Sequence, residues 1–375
     1  MRINKKSALS SLLRLDPLAK RCIGLLGSVE KGMTKERTSR LSRAFEDANP
    51  APSTIDWSHD TYMLPSSVDL SVIVPAYNVE PYIGECLRSL LKQDCAYSYE
   101  IIIVNDGSTD GTRREILRFV DDQRLHLIDQ PNGGISAARN VGISLARGRS
   151  IMFVDSDDYV EPGYLGQMVE ALDLSGADYV TSGFARVNAN GNTIGLGEAG
   201  DYGTAWGRVY KRSVWDAIRF PVGYWYEDTV IAFFIDGFYN EAVISSHGYC
   251  YRCRETSISH SDQGNAKSLD TFWITKELFA LYVRRGLPID ERLQNNLLIQ
   301  LGPLLAWRTR GLSAEVRKGV FAASCELYED VLSNLNLLGS FGSLGMVEKA
   351  LINRKWLLWN ASSFLKAAKG LVGNS

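Results

Sequence analysis

No apolar run in the 375 residues approaches the ~18 needed to cross a bilayer. Cysteine is scarce. Six in so long a chain exclude a disulfide-built scaffold and suit reduced thiols in a cytosolic protein. Cys250 and Cys253 form a C-x-x-C, but no second pair accompanies them. Their neighbours Tyr249 and Tyr251 give a strand-like setting, so zinc or redox use is not expected. An excess of one charge is missing too. A formal net charge of -2 gives no sign of a nucleic-acid binder. The start, Met1 to Ser10, is basic, but no uninterrupted apolar core and small-residue cleavage site follow it, so a secretory signal is not expected.

What is present is ordinary globular composition, 45% hydrophobic and 22% charged, with length for two domains or one large domain with additions. Residues 1–48 are rich in Lys and Arg, interleaved with leucines such as Leu9, Leu12 and Leu13, and read as a basic helical segment. The segment ends at the turn signal Asn49-Pro50-Ala51-Pro52-Ser53. Near the other end, Lys349 to Val372 mixes Arg354, Lys355, Lys366 and Lys369 with Trp356, Trp359, Phe364 and several leucines. Such a stretch suits an anionic membrane surface, and equally a basic amphipathic helix packed on its own protein. The expected division is an N-terminal extension over 1–67, a central domain over 68–265 and a helical region over 266–375.

Between them the pattern alternates. Leu70–Pro75, Glu100–Val104, Leu125–Ile128 and Ile151–Val154 are short β-branched runs that predict strands. Pro81–Leu91, Thr112–Val120 and Ser136–Ala146 have helical spacing, the last with Ser136 as its cap. Farther on, Asp178–Phe184 and Val243–Arg252 predict strands, Asn188–Asn192 a hairpin turn, and the chain from Ser268 reads as helical. Repeated strand-helix units imply an α/β fold with a mostly parallel sheet and helices on both faces. Right-handed crossovers then bring the carboxyl ends of the strands to one rim, where such sheets bind ligands. Four polar clusters fall at that rim: Pro75-Ala76-Tyr77-Asn78, Asn105-Asp106-Gly107-Ser108, Asn132-Gly133-Gly134 and Asp155-Ser156-Asp157. In the last, carboxylates at i and i+2 point the same way on an extended backbone and suit a hard divalent cation. An isolated D-x-D is more often a solvated acidic turn; it is the convergence of the four clusters that argues for a site.

Taken together, Ser71 to Asn78, Ile103 to Asp110, Asn132 to Asn140 and Phe153 to Asp158 resemble the family 2 glycosyltransferases of the GT-A fold, in the family's order and approximate spacing. The resemblance covers roughly residues 69–260 and implies a GT-A (Rossmann-like) domain with N-terminal and C-terminal helical additions outside it. It implies a nucleotide-sugar donor, most often a uridine diphosphate sugar. Pro75, Ala76 and Tyr77 would hold the base, and Asp106 would accept the uracil N3–H unless it is a turn residue capping the next helix, at Thr112. Asn132 and Gly133 would approach the nucleotide closely, while Arg139 would stack on or bond to the base, reach a phosphate or form a surface ion pair. Asp155, Ser156 and Asp157 would meet the ribose and a Mg2+ or Mn2+ ion, Asp155 and Asp157 as metal ligands. Downstream, Trp206 to Arg212 and Tyr226-Glu227-Asp228 resemble the acceptor side, with Asp228, the second acid of the pair, as base and Glu227 binding acceptor hydroxyls, or else both as a helix start. Arg252, Arg254 and Ser257 would bind the diphosphate and His260 would complete the metal shell. Trp206 would stack on an acceptor sugar or pack in the core.

With one base and no second nucleophile, the implied reaction is a single inverting displacement onto a saccharide, polymer or lipid-linked acceptor. The processive members' Q-x-x-R-W motif and membrane spans are not found, which implies addition of one or a few sugars, in the cytoplasm or on the inner face of the membrane. Two other classes compete. A sugar-phosphate nucleotidyltransferase needs a Gly-rich loop with a basic residue near the first strand, and Val74 to Asn78 is not one. A non-catalytic nucleotide-sugar-binding scaffold has no need of the complete acidic set.

Overall fold

The computed structural model describes residues 17–52, 64–200, 203–254, 264–335 and 345–372. Helices α1 (Pro17–Val29) and α2 (Lys35–Ala48) come first. Strands and helices then alternate: β1 (Val68–Ala76), α3 (Glu80–Leu91), β2 (Tyr99–Asp106), α4 (Thr112–Ile116), β3 (Leu125–Gln130), α5 (Gly134–Leu145) and β4 (Gly148–Phe153). The alternation loosens through β5 (Tyr159–Val160), α6 (Tyr164–Ser175), β6 (Tyr179–Val187), β7 (Thr193–Gly197), β8 (Arg208–Lys211), α7 (Thr229–Phe234) and β9 (Glu241–Arg252). The remainder is helical: α8 (Asp270–Arg284), α9 (Glu291–Ile299), α10 (Leu305–Arg308), α11 (Ala314–Leu335), α12 (Gly345–Ile352) and α13 (Trp356–Val372).

Two compact units result. One holds residues 55–223 and 227–254, the other residues 1–54, 224–226 and 255–375.

The first unit is built on one sheet in the order β3-β2-β1-β4-β8-β6-β9-β5, with β7 paired to β6. Its first four strands are parallel, and this half carries the motif loops. The other half is mixed: β8 runs antiparallel to β4 and to β6, whereas β9 runs parallel to β6. Strand β1 pairs on both edges, and its residues from Leu70 to Ala76 are all buried, as expected for a strand covered on both faces. The register sets Ala76 opposite Asn105 and Ile73 opposite Phe153, so the loops after β1, β2 and β4 leave the sheet side by side. Helix α5 lies against β1 at Gly142, where a Cβ would come within 2.3 Å of Ile73 Cγ2.

Two local expectations change. The predicted helix over Thr112–Val120 stops at Ile116, and the chain continues in turns to β3. Ser136 does not cap α5, which starts two residues earlier at Gly134. Gly134 has φ 83, a left-handed conformation that glycine enters without strain, and this moves the start of the helix into the Gly-Gly pair. Ser136 is buried, its hydroxyl without a hydrogen-bond partner among the described residues.

The helical unit packs α11 against α2, with Phe45 stacked on Trp273 at 5.9 Å and edge-on to Phe272 at 5.7 Å. Trp359 is fully buried, stacks on Trp356 and donates its Nε1–H to the Leu301 carbonyl at 2.9 Å. Of the two readings the sequence left open, Trp356 and Trp359 take part in packing within this helical unit. No described helix is long and apolar enough to cross a membrane.

The close approach at Gly142 yields a direct test. Gly142→Val should lower stability by about 1–3 kcal/mol through overpacking against Ile73, measured as a shift in urea midpoint. An unchanged midpoint would contradict that packing.

Candidate active site

The loops after β1 and β2 are fastened to each other. Asn78 adopts a left-handed conformation (φ 50), and its Oδ1 accepts the Thr109 N–H at 2.8 Å. Its own N–H donates to Ser108 Oγ. Pro75 and Ala76 are buried at the end of β1, while the Tyr77 ring is 48% exposed and open to a planar ligand. Gly107, with φ 72, would carry a Cβ 2.8 Å from the Asn132 backbone nitrogen, so the β2 and β3 loops also touch. Asn132 and Gly133 are exposed.

Asp106 is buried beneath them. Its Oδ1 accepts from Gln130 Nε2 and the Gly133 N–H at 2.7 and 2.9 Å, and its Oδ2 accepts the Gly134 N–H at 2.8 Å. Three donors, two of them at the helix N-terminus, make Asp106 the cap of α5. The sequence left open a cap on the next helix, α4, whereas the structure sets the cap on α5; a uracil contact would use the second lone pair of Oδ2.

Arg139 projects from α5 into the core at 1% exposure. Its Nη2 donates to Asp155 Oδ1 at 2.9 Å, and its Nη1 to Glu227 Oε1 at 2.7 Å and Asp228 Oδ1 at 3.0 Å. The Phe220 ring lies 5.1 Å from the guanidinium, and Asn140 fixes Phe220 by a reciprocal pair of backbone bonds. An arginine enclosed in this way offers no face to a base, so the stacking reading gives way to an internal ion-pair hub. Burial pulls the guanidinium's pKa down, but Asp228, Asp155 and Glu227 outweigh it and hold the charge firmly on.

Strand β4 stops at Phe153, and the Asp158 N–H closes a turn on the Asp155 carbonyl at 3.0 Å. The D-x-D is therefore not extended, and its two carboxylates go to different arginines. Asp155 faces Arg139, whereas Asp157 pairs with Arg254. Ser156 is buried in the turn. Burial and the neighbouring Asp155 raise the Asp157 pKa, and Arg254 opposes them. Asp158, unassigned from sequence beyond its acidity, is buried and accepts from the Tyr249 hydroxyl and the Arg252 N–H, both at 2.7 Å. Burial, then Asp157 and Asp155, push its pKa well up. Tyr249 also accepts the Asp155 N–H, so β9 pins the acidic turn from beneath.

Asp228 precedes α7, and its carboxylate accepts a backbone hydrogen bond from Ala205. Its side chain is 23% exposed, yet protein surrounds it closely enough for burial to push its pKa up to about 7. Glu227 and Asp155 add to that shift, and Arg139 limits it. Glu227 is more enclosed, at 12% exposure.

Two expectations fail. Arg252 is a buried strut and no phosphate ligand: Nε donates to the Asp157 carbonyl, Nη1 to the Ala189 carbonyl and Nη2 to Glu85. Trp206 stacks on Tyr249 and Tyr251 at 4.7 and 5.2 Å with 6% exposure, so core packing wins over an open acceptor platform. Ser257 and His260 lie outside the described residues.

Among the described residues no cluster of three or more His, Cys, Asp or Glu is placed to hold a metal. Two hard carboxylates, with phosphate oxygens and water filling the other positions, nevertheless fit the way Mg2+ is usually held. The donor set of Asp155 and Asp157 is thus chemically suited to a divalent cation bound together with a diphosphate.

The cap has a measurable consequence. Asp106→Ala strips the Gly133 and Gly134 N–H groups of their acceptor and should cost about 1–2 kcal/mol in chemical unfolding. Unaltered stability would refute the cap.

The glycosyl transferase family 2 sequence model matches residues 71–229, the stretch from β1 to the start of α7. Glycosyltransferase GlyA of Streptococcus pneumoniae is 29% identical over 262 residues, covering 60% of this chain and 36% of that protein. EpsJ of Bacillus subtilis, an uncharacterized glycosyltransferase, is 43% identical over 125 residues, covering 33% of this chain and 36% of that protein. The chain thus spans little more than a third of the length of these two relatives. A crystal structure of Staphylococcus aureus TarS residues 1–349 in complex with UDP-GlcNAc superposes with a TM-score of 0.59 at 20% identity, covering 82% of this chain and 92% of that one. That likeness establishes the GT-A fold. The stretch that the family 2 model matches, residues 71–229, is the one whose motif loops gather at one edge of the sheet.

Proposed function

We propose that this chain transfers a sugar from a uridine diphosphate sugar to a hydroxyl of a saccharide, polymer or lipid-linked acceptor, with inversion. The observation that carries the proposal is the single Arg139 guanidinium that joins Asp155, on the leaving-group side, to Asp228, on the acceptor side. In this reading the base and the diphosphate site share one wall of the sheet edge. In the proposed reaction Asp228 takes the acceptor's proton as the acceptor oxygen bonds to the anomeric carbon. The bond from that carbon to the diphosphate breaks, and the nucleoside diphosphate leaves. Arg139 keeps Asp228 and Glu227 oriented. Tyr77 covers the base, and the Gly107–Asn132 contact keeps the loop narrow. Asp155 and Asp157 would hold Mg2+ or Mn2+, which supplies Lewis-acid stabilisation of the leaving diphosphate. We assign catalysis to residues 68–265 and treat the helical parts on either side as additions. The same reading assigns the reaction to glycan synthesis at the cell surface, by an enzyme working in the cytoplasm or on the inner membrane face.

A screen of nucleotide sugars with Mn2+ or Mg2+, scoring released nucleoside diphosphate, tests the assignment. Turnover with a uridine diphosphate sugar is expected. Because Asp228 must be ionised to accept a proton, kcat/KM should fall about tenfold per pH unit below its pKa of about 7. Asp228→Asn should cut kcat by roughly 10^2 to 10^4 and abolish that acidic limb while nucleotide binding persists. Full turnover by Asp228→Asn would sink the base assignment. Pyrophosphate release from a nucleoside triphosphate and a sugar phosphate would sink the whole reading.

A further inference from the structure

Arg254 leaves β9 two residues after the strut Arg252, yet the two arginines stand in opposite situations. Arg252 commits Nε, Nη1 and Nη2 to the framework. Arg254 gives Nη2 to the carboxylate of Asp157, and its Nε is buried without a hydrogen-bond partner among the described residues. Both guanidinium groups lie over the Tyr82 ring of α3, at 5.4 Å for Arg252 and 5.1 Å for Arg254. One arginine is built in. The other is a counter-ion with a spare donor, 20% exposed.

We propose that Arg254 is the resident counter-cation of Asp157, and that a bound diphosphate exchanges it for a divalent cation. The inference rests on the proposed donor site and adds the order in which that site fills. Asp157 is 16% exposed and sits beside the negative Asp155. A carboxylate so enclosed needs a positive partner, and losing it is costly. Arg254 supplies that partner in this structure. A cation that coordinates Asp157 competes with the guanidinium for the same carboxylate, so its entry costs that ion pair. A diphosphate changes the balance, because its oxygens offer Arg254 a new acceptor of matching fork geometry, and the unpartnered Nε can join. The cation then takes Asp157 while Arg254 moves to phosphate. The site is consequently poor at holding a bare ion and good at holding an ion with a nucleotide diphosphate.

The test is Mn2+ binding by the full chain, read as free-ion EPR signal or by calorimetry, with and without saturating uridine diphosphate. The wild-type protein should bind Mn2+ at least about tenfold more tightly with the nucleotide. Arg254→Ala should bind bare Mn2+ about fivefold more tightly than wild type, and the nucleotide should enhance it less. Arg254→Lys, which keeps the charge but loses the fork, should fall between them, and thermal unfolding checks that both variants fold. If Arg254→Ala does not fold, Tyr82→Leu, which loosens the same guanidinium, should show the same direction of change. Bare Mn2+ binding that is unchanged or weaker in these variants, with normal nucleotide-dependent binding in wild type, would overturn the exchange alone. Absence of Mn2+ binding in wild type even with the nucleotide would overturn the metal reading and the exchange with it.

Discussion

A guanidinium at 1% exposure, held by three carboxylates, is the constraint around which this sheet edge is organised. Removing an arginine from water is expensive, and only dense pairing and hydrogen bonding offset the cost. Arg139 receives both from Asp155, Glu227 and Asp228. The converse dependence matters more. Three acids cannot share so small a volume without a fixed positive charge among them. Phe220 beneath the guanidinium and Asn140 beneath Phe220 give the charge one position. The hub therefore joins helix α5, the turn after β4 and the start of α7, three pieces that come together only in the folded domain.

A second arginine pair performs a related task on the far side of the D-x-D turn. Arg252 ties β9 to the Asp157 carbonyl, the Ala189 carbonyl and Glu85. Tyr249 and Asp158 hold the same turn by hydrogen bonds from β9. The acidic turn is gripped on one side by a helix and on the other by a strand, with Asp155 turned to Arg139 and Asp157 to Arg254. Rigid support of this kind is what a site needs if charge is to be stabilised as it develops.

Much of this was legible in the chain itself. The β1 to β4 alternation and the four polar loops at its rim are local patterns, and periodicity with turn chemistry reveals them. The partners of Arg139 are not local: Glu227 and Asp228 lie 88 and 89 residues away along the chain. Nothing in the spacing of Asn132 to Asn140 shows that the arginine turns inward. The same limit explains Arg252, whose contact with Glu85 spans 167 residues. Trp206 looked available for a sugar because its partners Tyr249 and Tyr251 come from a strand paired to another part of the sheet. The D-x-D turn misled in another way. Alternation along a strand was carried past Phe153, where the strand ends and side-chain direction no longer follows period two. The Gly133-Gly134 start of α5 was the one miss with a local signal, since a left-handed glycine can open a helix that Ser136 only appeared to cap by type.

The central claim is that Arg139 binds Asp155, the proposed leaving-group acid, and Asp228, the proposed base, into one electrostatic unit. Double-mutant cycles of unfolding free energy measure it without reference to any substrate: Arg139→Gln with Asp155→Asn, and Arg139→Gln with Asp228→Asn. The account predicts that both cycles give coupling well above the ~0.5 kcal/mol within which independent sites add. Simple additivity in either cycle would contradict it.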